Sequence, residues 1–535
     1  MVGERQKAGE SEADHGDRAV TINAVSRSFA CTPSSDGVRY TKFAGGSGIE
    51  APAPVERQLD AGHYVPRKFN LVAIHPRPDA ETGADAQHRW AYPGIEYRQP
   101  ICMHGGSAPF VYELIAAPTG ATVGEWLEWN GTTGVYDMPT DYGVVKWTPS
   151  AEGGPHTFTV RVTGQDGHYA DVTWTTEVLA SKFIFVSAAA SGGGTGVVSD
   201  PFTWAECFGT LASTTNNAGK IAVFRGGTFT CAGFSDTNGN LNVNGAIKPK
   251  SWIAYPGESP IWDFNGTMKV TVSEGASGAM NDSAVIGIRF RNARQDVNNA
   301  HYLYMNDWMS RQIVWRNYFE SLDYGLVGSD NPAAIYWTAS GGLTDPRLSI
   351  AVVQNTFDGM QTGGGNGVAA TDSYNIRYGV WERNILKNCT SSYAHWLKGG
   401  HQDVSVRYED MTENNACYAL LAFAMAAGTT TISGARTEIC YCKIRNPSGT
   451  RAVYYLYSSD AADDVDHYIY RNTALGGMAG RLVADGEYNV GDDAEWVALW
   501  GASNVTVSAS DIDSSGNLAG TSRTAYLGTH GAEIA

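Results

Sequence analysis

The chain has 535 residues, with 55 acidic against 38 basic side chains and a formal net charge of −17. Such a charge argues against nucleic acid as the main partner, because phosphates bind basic surfaces. The first ten residues are polar and no run of eighteen apolar residues occurs, so we expect neither a Sec-type signal peptide nor a membrane-inserted segment.

The first part of the chain, residues 1–95, holds short strand-like pieces separated by polar, proline-rich stretches such as Ala51–Val55. We interpret it as a small N-terminal attachment region. A partly disordered leader is the alternative, since the composition suits either.

Residues 96–180 show the alternation of a β-sandwich. Phe158, Val160 and Val162 would face a core while the residues between them face solvent. Gln165–Gly167 has the composition of a hairpin turn. The segment resembles the immunoglobulin-like and cadherin-like modules of bacterial surface and phage proteins. This resemblance implies that residues 96–180 act as a spacer.

Further along, Thr203–Glu206 matches the capping-box pattern, which predicts the start of a short helix. Residues 284–475 then repeat a short strand followed by a polar corner, at steps of 26 to 38 residues. A repeat of this length with one confident strand per copy predicts a solenoid of stacked coils. The equivalent corner positions, expected to form an inward ladder, are Ile288, Asn317, Asn355, Asn384, Asp410, Cys442 and Asn472.

These repeats and three flanking segments resemble the right-handed parallel β-helix of the pectate-lyase-like superfamily, over roughly residues 181–535. The flanks are Ser199–Phe229, Trp252–Ile261 and Asp513–Ala532. The fold class expected is therefore all-β: a right-handed parallel β-helix after a β-sandwich and an N-terminal region. The superfamily fold hosts lyases, hydrolases, isomerases and binding proteins, so it does not fix the function.

The densest polar cluster lies between residues 377 and 410. Lyases of this superfamily need a base and a cation beside the uronate carboxylate, and the resemblance implies Lys398 as base with Arg407 or Arg383 as neutraliser. Sugar faces would stack on aromatic rings nearby, so the carbohydrate-binding residues expected are Trp381, Tyr393, Trp396 and His401. A solvated turn at Lys398 is the structural alternative.

The same resemblance implies that calcium could bind if acidic residues on neighbouring coils converged, namely Asp372, Glu382, Asp403 and Glu409. Otherwise no cofactor is expected. The residues before the ladder should point outward as a polar stripe, either solvated or one wall of a groove: Arg316, Gln354, Arg383, Glu409, Tyr441 and Arg471. The hydrolase branch of the superfamily carries paired aspartates with Gly-His-Gly and Arg-x-Lys motifs. Residues 181–535 contain the pairs Asp463-Asp464 and Asp492-Asp493 without these motifs, so a polygalacturonase-like activity is not expected, while a glycoside hydrolase that uses another acidic pair stays an alternative.

Three functional hypotheses follow. The first is a virion spike or fibre protein that recognises bacterial surface polysaccharide, with or without degrading it, and docks onto other virion proteins through its N-terminal region. The second is a free, secreted polysaccharide lyase, and the third a structural decoration protein. For the first we expect a homotrimer, with the exposed aromatic residues Tyr454, Tyr455 and Tyr457 at the subunit contacts.

Overall fold

The structure is a computed structural model. It describes, with side chains, residues 70–124, 143–164, 166–208, 217–231, 249–266, 281–293, 301–305, 310–322, 332–337, 348–360, 369–389, 394–397, 401–411, 437–440 and 442, and the backbone of further strands. The described part of the chain is all-β apart from one α-helix, α1 (Trp204–Phe208), and three single-turn 3₁₀ segments, at Asp79–Glu81, Gln87–Arg89 and Ala180–Lys182.

The N-terminal strands are short and antiparallel. A three-stranded sheet consists of β1 (Val20–Ile22), β2 (Arg27–Ser34) and β3 (Gly37–Lys42). The strands that follow are β4 (Val72–His75), β5 (Trp90–Ala91), β6 (Tyr97–Pro100), β7 (Cys102–His104), β8 (Val111–Ala116), β9 (Thr122–Gly124), β10 (Leu127–Asn130), β11 (Val135–Pro139), β12 (Val144–Trp147), β13 (Gly153–Thr163) and β14 (Tyr169–Val178).

A β-sandwich forms from the sheets β6-β12-β9 and β5-β14-β13-β8. The predicted alternation is confirmed, since Phe158, Val160 and Val162 are all fully buried in its core. The sandwich begins earlier than the predicted boundary at residue 96. Strand β5 joins one of its sheets, and Leu71 and Ala73 pack on its core, so these residues belong to the sandwich and not to a separate attachment region.

The remaining strands form a long parallel stack. They are β15 (Phe183–Val186), β16 (Ile221–Phe224), β17 (Gly227–Thr230), β18 (Asn240–Asn242), β19 (Ser251–Ala254), β20 (Pro260–Asp263), β21 (Lys269–Val272), β22 (Ala284–Ile286), β23 (Arg289–Arg291), β24 (His301–Met305), β25 (Gln312–Trp315), β26 (Tyr318–Asp323), β27 (Ala333–Trp337), β28 (Arg347–Val353), β29 (Thr356–Gln361), β30 (Ala369–Tyr374), β31 (Ile376–Glu382), β32 (Ile385–Lys387), β33 (Thr390–Lys398), β34 (Gln402–Arg407), β35 (Asp410–Glu413), β36 (Ala416–Tyr418), β37 (Leu420–Ala424), β38 (Ala435–Cys440), β39 (Lys443–Arg445), β40 (Tyr454–Ser458), β41 (Val465–Tyr470), β42 (Thr473–Leu475) and β43 (Leu482–Gly486).

Each coil of the stack contributes one strand to each of three faces, as in a parallel β-helix. Face one is the ten-stranded sheet β15-β16-β19-β22-β25-β28-β31-β34-β38-β41. Face two runs β17-β20-β23-β26-β29-β32-β35-β39-β42, and face three runs from β18 through β21, β24, β27, β30 and β33 to β37, β40 and β43. Between β16 and β35 each strand pairs with the third strand along the chain, because each coil there contributes three strands.

Face one carries apolar residues on both sides of strands β22, β25, β28 and β31. Its inner residues join the core of the stack, and its outer residues pack against the sandwich: Ala284, Ile313, Trp315, Ala351, Val353 and Val380 contact Ile74, Cys102 and Val144. Burial on both sides explains the continuous apolar runs of β25 and β28, where a half-exposed strand would alternate.

The predicted asparagine ladder is confirmed for Asn317, Asn355 and Asn384. Asn317 Nδ2 donates to Asn355 Oδ1, and Asn355 Nδ2 donates to Asn384 Oδ1, each at 3.0 Å. A buried amide needs such partners, and the neighbouring coil supplies them. The position corresponding to Asn472 lies outside the described residues.

The ladder assignment of Asp410 is wrong by one residue. Asn384 Nδ2 donates to Glu409 Oε1 at 2.9 Å, and Glu409 is fully buried. The preceding Tyr408 takes the left-handed corner conformation (φ 56°) that Arg316, Gln354 and Arg383 adopt in other coils. The acidic side chain therefore turns inward at residue 409, not at 410, and Glu409 does not belong to the outward stripe.

Helix α1 begins at the predicted capping box. Thr203 N–H donates to Glu206 Oε2 at 2.7 Å, and Glu206 N–H donates to Thr203 Oγ1 at 3.2 Å. The helix buries Trp204, Cys207 and Phe208 in the core of the stack. It thereby supplies apolar side chains to the first coils.

Candidate functional site

The outer sides of the three faces differ in chemistry. Face one is covered by the sandwich over much of its described length. Face two carries charges in register, with Arg291 bonded to Asp263 at 2.9 Å and Lys387 within 3.4 Å of Asp358. On these described coils, the cross-coil pairs balance the charges of face two.

Face three carries a column of large side chains on four successive coils. Strand register places Tyr304, Tyr336, Asp372 and Trp396 opposite one another in that order. Their sequence neighbours Leu303, Ile335 and Leu397 belong to the core of the stack, so the column lies on the outer side of the sheet. We call these four residues the aromatic column; three coil steps of about 4.8 Å give it a length of about 14 Å.

The rings of the aromatic column pack on one another. Tyr304 and Tyr336 have centroids 5.4 Å apart, and His301 stacks on Tyr336 at 4.7 Å. His301 is held in place because its Nδ1 lies 3.0 Å from the Ala333 carbonyl. Tyr304, Tyr336 and Trp396 are nevertheless part-exposed. The column therefore offers ordered ring surface at the protein exterior.

A carboxylate lies among these rings. The Asp372 side chain is fully buried. The burial of the Tyr336 phenol, and next the nearby Asp372 carboxylate, raise the pKa of Tyr336 above its usual value. Burial and the same carboxylate raise the pKa of Tyr374 to about 12. Both phenols therefore keep their protons at neutral pH and can donate hydrogen bonds, while a carboxylate can accept them.

Three predicted site residues fall on strand β33 of face three. Trp396 belongs to the aromatic column. Lys398 pairs with Tyr374 in register and Tyr393 with Ala369. The side chains of Lys398 and Tyr393 lie outside the described residues, so their predicted roles stay predictions.

Two predicted sugar-binding residues do not lie at the surface. Trp381 is fully buried in the core of the stack, where its Nε1–H donates to Thr371 Oγ1 at 3.1 Å. His401 is buried at a corner, with Nε2 3.1 Å from the Ser373 carbonyl and Nδ1 accepting the Ile376 N–H at 3.3 Å. Neither presents a ring face to a ligand in this structure.

Arg407, predicted to neutralise a uronate, lies instead between face one and the sandwich. It is fully buried, donates to the Gly105 carbonyl at 3.0 Å and to the Met103 carbonyl, and lies 3.1 Å from Glu382. Burial alone would lower its pKa, but the Glu382 and Glu438 carboxylates raise it. This arginine thus joins two domains.

Arg383 is part-exposed at the corner after face one. Its guanidinium lies 4.5 Å from the Tyr408 ring and within 3.9 Å of Glu382. The structure therefore does not bring Arg383 and Arg407 together with Trp396 on one face.

The four acidic residues considered for calcium are divided among different surroundings. Glu409 lies inside the stack with His395 at 2.7 Å, Glu382 faces the sandwich, and Asp372 lies in the aromatic column. Asp403 lies 4.0 Å from Arg377. Among the described residues, no three His, Cys, Asp or Glu side chains are grouped so that they could hold a metal ion.

A serine, a histidine and a glutamate also meet at the domain contact. Ser405 Oγ lies 3.0 Å from His104 Nδ1 and donates to Glu438 Oε2 at 2.9 Å. All three residues are buried, and the serine, not the histidine, is the central member. A hydrolytic triad needs the histidine between the other two, so this cluster serves the interface.

Comparisons with known proteins give no relatives. No family model matches the chain, and neither the curated proteins nor the solved structures contain a significant match. Within the described part of the chain, none of the helices is long and apolar enough to cross a membrane.

Sequence reasoning missed most of the aromatic column. Tyr304, Tyr336 and Asp372 lie 32 and 36 residues apart, and the segments between them differ in length from coil to coil. Each column residue lies two strands after the face-one strand that precedes a ladder corner, so the corners indicate the right coil. They do not indicate the residue within it, because no local motif marks these positions and the strand register is needed.

Proposed function

We propose that the protein recognises a bacterial surface polysaccharide along the aromatic column, as part of a virion spike or fibre. The observation that carries the glycan proposal is the column itself: part-exposed rings that pack on one another, on a face that the sandwich leaves uncovered. Sugar rings stack their apolar C–H faces on aromatic side chains, while phenol groups orient hydroxyls.

A polymer suits this surface better than a small molecule. The column places one residue on each of four coils and runs along the stack, so a polymer laid along it can contact several coils at once. The sandwich and the N-terminal region would then serve as spacer and attachment.

The test is binding of the full-length chain to an array of bacterial surface polysaccharides, followed by affinity measurement on the best ligand. Tyr336→Ala and Trp396→Ala should each weaken binding at least about tenfold, equivalent to about 1.4 kcal/mol. The matched control is Tyr169→Ala, which removes a tyrosine that is 57% exposed on the sandwich and should change nothing. Unchanged affinity in both column variants contradicts the proposal.

A polysaccharide lyase is the second candidate, because register places Lys398 next to Tyr374 and two residues beyond Trp396 on the same strand. If Lys398 is the base, Lys398→Ala abolishes the rise in ultraviolet absorbance from unsaturated products while glycan binding persists. Lys387→Ala, on face two, is the control. A wild-type protein that binds glycan and releases no product is a lectin-like binder instead.

A further inference from the structure

A cleft separates the sandwich from the first coils of the stack. Its volume is about 200 Å³. The sandwich wall includes Trp90, Tyr92 and Ile95, and the opposite wall includes Tyr255 and Ile286. The cleft lies along face one near its first strands and contains no member of the aromatic column.

Aromatic side chains on the two walls are held in fixed positions. Tyr92 packs edge-on against Phe185, with centroids 5.0 Å apart. Trp90 is fixed by its Nε1–H, which donates to the Ala84 carbonyl at 2.8 Å. On the other wall the Arg225 guanidinium lies 4.3 Å above the Tyr255 ring. A bound molecule would therefore meet preorganised ring surface from both domains.

The charges that line the cleft cancel. Two lining residues are basic, Arg98 and Arg316, and two are acidic, Glu96 and Glu258, which gives a net charge of zero. Both carboxylates are already paired, since Glu96 accepts from Arg98 and Glu258 accepts from Arg225 at 2.7 Å. A charged ligand gains little from such a lining, whereas hydroxyl groups find both donors and acceptors.

We propose that this cleft between the domains is a second binding site, for a single neutral pyranose unit. Its volume suits one sugar ring rather than a polymer, and its paired charges and aromatic walls suit an uncharged, polyhydroxylated ring. The site does not depend on the aromatic column. A sugar held by both walls also contacts the sandwich and the stack at once.

The test uses the full-length chain with glucose, galactose and N-acetylglucosamine as probes and glucuronate as the charged counterpart. Binding is followed by saturation-transfer NMR and by intrinsic tryptophan fluorescence, since Trp90 lines the cleft. At least one neutral sugar should bind at millimolar concentration, and glucuronate should bind at least tenfold more weakly. Ser259→Trp, which fills the cleft from an exposed lining residue, should abolish binding.

Two control variants separate this site from others. Ser150→Trp adds the same ring at an exposed position outside the cleft and should leave sugar binding unchanged. Tyr336→Ala should also leave sugar binding at the cleft unchanged. The proposal for the cleft and the proposal for the aromatic column are therefore tested independently. The proposal is overturned if none of the three neutral sugars binds, if glucuronate binds as tightly as the neutral sugars, or if Ser259→Trp binds them as the wild type does. Photo-crosslinking from position 259 to residues 1–69 or to a second copy would also overturn it.

Discussion

Asn355 donates two hydrogen bonds to the side chain of Asn384 on the next coil. Asn384 Oδ1 accepts both the Asn355 backbone N–H, at 2.9 Å, and Asn355 Nδ2, at 3.0 Å. Asn384 Nδ2 in turn donates to the Val352 carbonyl and to Glu409 Oε1, each at 2.9 Å. One side chain therefore satisfies buried polar groups on the coils before and after its own, and the corner geometry depends on it.

Asn384→Leu should therefore destabilise the protein by about 1–3 kcal/mol, because buried donors and an acceptor lose their partner. Chemical denaturation followed by tryptophan fluorescence measures the loss. Asn70→Leu, at an exposed position, is the matched control and should have little effect. Equal stability of the two variants would show that the ladder does not stabilise the stack.

Arg407→Met should destabilise the protein by about 3–5 kcal/mol, because it leaves the buried carboxylates of Glu382 and Glu438 without their cation. Limited proteolysis should also release the sandwich from the stack more readily. The control is Arg161→Met, which removes a surface ion pair with Asp171 and should have little effect. A fully stable Arg407→Met protein with lost catalysis would instead support the predicted substrate-neutralising role.

Stability should fall as the pH drops below about 6.5. Burial lowers the pKa of His88 to about 3, with a smaller contribution from Arg89, and burial and His88 lower that of His75 well below its usual value. Both rings stay neutral in the folded state but take up protons when the chain unfolds, so acid favours unfolding.

Each histidine should lower the free energy of unfolding by up to about 1.4 kcal/mol for every pH unit of acidification. For His88 this dependence extends from pH 6.5 down to about 3. Denaturation midpoints measured across this range test it. His88→Gln should reduce the slope, whereas His168→Gln, at an exposed histidine of the sandwich, should not. A slope unchanged by His88→Gln would contradict the assignment.

The assembly prediction concerns Tyr454, Tyr455 and Tyr457, which lie on strand β40 of face three; their side chains lie outside the described residues. If they form subunit contacts, light scattering at micromolar concentration should give three times the monomer mass. Tyr455→Lys should then reduce it to the monomer, since a charge cannot be buried unpaired at a threefold contact. A wild-type monomer would remove the trimer hypothesis.

The sequence by itself determined the repeated features of this protein. The asparagine spacing marked the corners, Thr203–Glu206 marked a helix start, and the alternation around Phe158 marked a sandwich strand. Each depends on residues close in the chain or on one repeated position, so a local pattern is enough. The Asp410 assignment failed because two adjacent acidic residues fit the pattern equally, and the left-handed corner at Tyr408 selected Glu409.

Only the tertiary structure decided which residues face solvent. Trp381 and Arg407 read as surface groups, but one lies within the stack and the other beneath the sandwich. For Arg407 the packing of a separate domain on face one determines this, and no residue of the repeat encodes it locally. The column of Tyr304, Tyr336 and Trp396 likewise exists only through strand register, because coils of unequal length bring distant residues to the same height.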